Sequence, residues 1–182
     1  MFIANKLRTE NIAEYLLYMW QVEDLVRVFG LDIDKLERDY LSRFDSLEAK
    51  QQADLRQWYA DIIEMMRSEG VAEKGHMQIC RNVLINLSDL HERLMDSQKY
   101  PYYHAAYQKA LPLIVELRAK QGKDTEHTEM ESCFELLYGV MLLKMQGRKI
   151  SNDTAKAVEI ISTFLGSLSD YYIKDRMEPL EF

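Results

Sequence analysis

The chain has 182 residues, 47% of them apolar and 29% charged, a length and composition that suit one folded soluble domain with a sizeable core. Its formal charge of −7, with Lys and Arg interleaved among acids, excludes the clustered basic face that a duplex-binding protein needs. Only 7 Gly and 3 Pro leave too little turn material for a many-stranded β fold.

The opening "MFIANKLRTEN" is too short and too polar for a secretion signal. The apolar run "LLYGVMLL" at 136–143 is far below the roughly 20 residues that span a bilayer. Cys80 and Cys133 lack CxxC or metal-finger spacing and read as buried reduced thiols in a cytoplasmic protein, though a bond between them stays open.

Every long segment has the helical period. The first predicted helix runs from near Thr9 to Phe29, with Gly30 as a left-handed cap. A shorter one follows from Ile33 to Phe44, where Asp34 and Glu37 form a capping box. The third spans Ser46 to Glu69, with Asp45 and Glu48 as a second box and Gly70 as its end. Gly75 opens a fourth that reaches Ser97 on the stripe Ile79, Val83, Leu87, Leu90 and Leu94.

The fifth is "KYPYYHAAYQKALPLIVELRAKQG", with Pro101 in its first turn and Pro112 opposite its apolar stripe, where a kink faces solvent. The sixth covers Thr125 to Gln146, closed by Gly147. The last covers Asn152 to Arg176, with Ser151 or Asn152 as its cap. No linker or repeat interrupts the series, so the expected fold is all-α: a single-domain bundle, residues 1–182, of six to seven helices.

The first and sixth predicted helices differ from the others. Leu16, Leu17, Trp20 and Val28 fall well off the main apolar face of the first, and Leu136, Leu142 and Leu143 do the same in the sixth. A helix apolar on most sides is central or covered by another subunit. Both helices are therefore expected at the centre of the bundle. Homodimerisation is expected through Leu16, Leu17, Trp20 and Val28.

"NIAEYLLYMWQVEDLVR", preceded by "MFIANK", resembles the opening of a family of small bacterial all-helical proteins of unknown function. The resemblance extends over most of the chain and implies an all-helical fold and a bacterial cytoplasmic setting. It brings no reaction, cofactor or catalytic residue.

Chemistry has to be sought in scattered polar groups. Glu23 stands at the margin of the first helix's apolar face, one turn before Arg27, in the favourable order for an ion pair. Asp24 lies farther round and is expected to pair with a base from another helix. The plain reading makes both structural ions. The sharper one is a carboxylate-rich metal site in a bundle, which combines Glu with Glu-x-x-His. Glu73-Lys74-Gly75-His76 matches that pattern only nominally, and His91-Glu92 starts a zinc-protease helix but has Met at position 95. His104 and His127 lack acids at matching spacing.

Glu23, Asp24, His76 and His91 are the metal candidates, and no cofactor is expected. The leading expectation is a non-enzymatic protein that acts through protein association, chiefly with itself. The alternative is a metal- or small-molecule-binding helical enzyme. Neither nucleic acid nor a membrane is an expected partner.

Overall fold

Asn11 sets the first break in the chain. In the computed structural model, which describes residues 1–121 and 128–182, its Oδ1 accepts the amide of Ala13 at 3.1 Å and so caps a new helix. The helix expected from Thr9 to Phe29 is α2 (Ile12–Val28), and ahead of the break stands a helix that the periodicity does not present, α1 (Phe2–Glu10). After them come α3 (Ile33–Asp39), a 3-10 turn (Leu41–Arg43), α4 (Ala49–Ser68), α5 (Gln78–Asp96), α6 (Pro101–Gln121), α7 (Glu129–Met145) and α8 (Asn152–Met177). The described residues hold eight α-helices and no strand, against an expectation of six to seven helices; the all-α class stands. The expected helix start at Thr125, and His127, lie outside the described residues.

Contacts divide the chain into two compact units, residues 1–10 with 14–83, and residues 11–13 with 84–182. The boundary falls inside α5.

In the first unit, Leu16, Met19, Trp20 and Val26 of α2 are buried with Leu36, Ile62, Met66 and Met77. The α2 helix ends at Gly30, whose φ of +66° is the left-handed conformation that glycine adopts without a Cβ penalty. Leu31 follows at φ +58°, a strained value for a leucine. Its side chain is buried, and its carbonyl accepts Arg67 Nη2 at 2.9 Å, so packing holds the strain in place.

The cap of α3 is Asp32, which accepts the amides of Asp34 and Lys35, and not the expected Asp34–Glu37 box. Asp34 and Glu37 instead receive Arg56 of α4, at 2.9 and 2.7 Å, because a guanidinium fork satisfies two carboxylates at once. The α4 helix starts three residues later than Ser46, at Ala49, and the amide of Glu48 donates to Gln51 Oε1 at 3.0 Å.

In the second unit, Leu87, Leu90 and Leu94 of α5 are buried with Tyr103, Ala110 and Ile114 of α6, Phe134 of α7, and Phe164 and Leu168 of α8. Rings set the direction of α6 against α8. Tyr103 meets Tyr171 at 5.8 Å and Tyr107 meets Phe164 at 5.5 Å, so the two helices run antiparallel. Pro112 is exposed within α6, where water can reach the carbonyl that its missing N–H leaves free. Thr128 caps α7 with Glu131 in a reciprocal box, and Ser151 caps α8 by accepting the amide of Thr154.

Candidate functional site

The strongest polar feature of the first unit arises where α2 passes the segment between α4 and α5. Gly70 ends α4 with a φ of +70°, and Gly75 turns the chain again at +86°. The helical pattern expected from Gly75 begins only at Gln78, so His76 and Met77 belong to the entrance of α5 and not to its stripe. Two carboxylates explain that placement. Glu69 Oε2 accepts the amide of Gln78 at 2.5 Å, and Glu23 Oε1 accepts the amide of Met77 at 2.7 Å. A helix entrance presents amides without partners and the positive end of the peptide dipoles, so anions are stabilised there.

Glu23 is completely buried, with 0% exposure. Its second oxygen, Oε2, lies 2.6 Å from Nδ1 of His76. An ionised carboxylate only accepts, so Nδ1 carries the proton and Nε2 is the ring's other end. The His76 ring stacks on Trp20 with centroids 4.2 Å apart and planes within 13°. Its side chain keeps 27% exposure, so the pair joins a buried anion to an imidazole that reaches water. Cys80 is buried in the first turn of α5. Burial, foremost, and the Glu23 charge push its thiol pKa far up, which makes it inert as a nucleophile.

The expected partners are exchanged. Arg27 binds Asp24 at 2.9 Å, one turn earlier on α2, and leaves Glu23 to His76. The same guanidinium donates to the carbonyls of Val71, at 3.1 Å, and Gly75. Arg27 therefore ties the segment before α5 to α2, and Asp24 is half-exposed at the rim. Periodicity along one helix identified Glu23 as unusual but gave no sign of Trp20 over His76, or of Arg27 on the two carbonyls. A hint was present in "EGVAEKGHM": two glycines on either side of a short stretch mark a loop and not the start of a helix.

His91 belongs to the second unit. Its Nδ1 shares a 2.7 Å hydrogen bond with the buried Tyr103 hydroxyl, and its ring packs on Tyr107 and Phe164. Tyr107 donates to Glu129 Oε2 at 2.9 Å, and Arg118 lies 3.7 Å from the other oxygen of that carboxylate. Burial lowers the His91 pKa, while Glu129 acts weakly in the other direction. Glu73 of the nominal Glu-x-x-His pattern is exposed. Among the described residues no group of three or more His, Cys, Asp or Glu side chains is arranged to hold a metal ion.

Of the four expected interface residues, Leu16 and Trp20 are buried within the chain itself. Directions on a helical wheel identify side chains that need cover, not what covers them. Leu17 is partly open and Val28 is 80% exposed.

The fold and this polar junction define a class: an all-helical protein with a buried carboxylate–imidazole pair at a helix entrance. Residues 1–179 match the family described as Domain of unknown function (DUF4924), and the chain belongs to that family. No curated protein and no solved structure matches it. No described helix is long and apolar enough to cross a membrane.

Proposed function

We propose that this chain works through protein association, by pairing with a second copy of itself, and that it catalyses no reaction. The observation that carries this reading is the half-covered apolar surface of α7. Leu136, Leu137, Met141, Leu142 and Leu143 all remain partly open along that helix. Each apolar side chain taken fully out of water contributes about 1.5–3 kcal/mol, so a symmetric contact through α7 gains free energy from several of them at once. Leu17 and Val28 of α2 are the expected contact positions that the chain leaves open to a partner.

The proposed setting is the bacterial cytoplasm, where the free thiols Cys80 and Cys133 suit a reducing compartment. The chain acts as one domain, a reading supported by the continuity of α5 through the boundary between its units. Sedimentation of the purified protein over a range of concentrations tests the association. The expected result is a dimer that Leu142→Glu converts to a folded monomer. A wild-type chain that stays monomeric at high concentration overturns it.

One observation favours a second reading. Glu23 and His76 have the arrangement of a carboxylate that orients an imidazole whose far nitrogen points elsewhere, as in a small-molecule or metal site. Elemental analysis of protein purified without chelators or an affinity tag separates this reading from the first. Stoichiometric metal lost in His76→Ala supports it, and metal-free protein counts against a metal at this pair.

A further inference from the structure

The second unit carries a groove of about 480 Å³ between α6 and α8, within the range of volumes that hold small ligands. Its walls repeat at helical spacing: Tyr102, Ala105, Ala106 and Lys109 on α6, and Lys156, Glu159, Ile160 and Thr163 on α8. Ala105 and Ala106 cut down the α6 ridge, which leaves the space open.

Because the helices are antiparallel, Lys109 and Lys156 belong to one end of the groove, and Tyr102 and Thr163 to the other. Neither lysine is in an ion pair with a carboxylate among the described residues. Glu159 is the one acid of the lining, so this end has two positive charges against one negative, in a chain whose net charge is −7. At the far end Tyr102 is 88% exposed, although a phenol ring is a large apolar body to leave in water. Between the ends run the alanines and Ile160. Seven residues of helix separate Lys109 from Tyr102, a length of about 10 Å.

We propose that this groove binds a small amphipathic anion, an alkyl or aryl carboxylate about 10 Å long. The anionic head lies between Lys109 and Lys156, and the apolar body lies along Ala105, Ala106 and Ile160 toward the Tyr102 ring. A charge gradient along one apolar groove selects this chemistry. A neutral lipid leaves the lysines unused, and a compact polar anion leaves the alanine stretch and the tyrosine wet. The inference does not depend on self-association through α7.

Titration calorimetry with sodium decanoate, below the concentration at which it forms micelles, tests the proposal on the full chain. Decanoate is expected to bind, and decyltrimethylammonium to bind about tenfold more weakly or less. The double variant Lys109→Gln, Lys156→Gln changes two exposed side chains, keeps the thermal midpoint of the wild type and loses about tenfold or more in decanoate affinity. Ala106→Trp fills the groove and abolishes binding. Absence of decanoate binding to the wild type overturns the proposal, as does equal affinity for the cationic and anionic chains or an unchanged affinity in the lysine variant. An Ala106→Trp chain that alters sedimentation, with no decanoate binding in either form, makes the groove a protein contact and overturns it too.

Discussion

Glu23 and His76 meet at 2.6 Å, although one stands in the middle of α2 and the other precedes α5 by two residues. The carboxylate is sealed from water while the imidazole is not, and this asymmetry decides what each substitution costs. His76→Ala leaves a buried charge with the Met77 amide as its main support and is expected to destabilise the chain by about 3 kcal/mol. Glu23→Gln removes the charge, keeps an acceptor for that amide and costs less, about 1–2 kcal/mol. Urea unfolding of the two variants checks the order. If Glu23→Gln is the more damaging, the pair is not held by the need to neutralise Glu23.

Arg27 joins Asp24 and two backbone carbonyls with one planar fork. Lysine offers a compact charge without that geometry. Arg27→Lys is expected to lose about 1–3 kcal/mol and to speed amide exchange in residues 71–77 more than in α4. Uniform exchange across both regions counts against a tether.

Both cysteines are free and buried. Burial, aided by Glu129, pushes Cys133 up to about 12, and burial with Glu23 raises Cys80 still further. Neither thiol is expected to react with a disulfide reagent in the native protein at neutral pH, and both react at once in denaturant. Rapid labelling of either in the folded state contradicts this burial.

His91 supplies a pH dependence. Burial holds its folded pKa below the ordinary value, so on acidification the unfolded chain takes up this proton first. The associated stability is fully present above the unfolded value of about 6.5 and is lost as the pH falls through the lowered folded value. The gap in urea midpoint between wild type and His91→Gln should therefore narrow on acidification from neutral pH. Parallel profiles remove His91 as the source.

The Glu23 site was half legible in the sequence. A carboxylate at the edge of an apolar helix face has to find a partner, and the spacing favoured Arg27 at i,i+4. The fold chose His76, 53 positions away, because the amide of Met77 and the imidazole converge on one carboxylate while Arg27 serves the loop carbonyls. The seam at Asn11 is similar: its side chain competes locally with the helix, yet Ser169 Oγ also donates to it at 3.0 Å from far along the chain.

By itself, the order of residues determined that this chain is helical, where most of its helices end and which of their faces are apolar. Those properties depend on neighbours three or four positions away and on glycine or proline at particular points. The tertiary structure alone decided the ion partners, the cover over Leu16 and Trp20, the exposure of Val28 and the lysine-ended groove between α6 and α8. Each of these joins groups far apart along the chain, and local spacing carries no information about which distant group arrives.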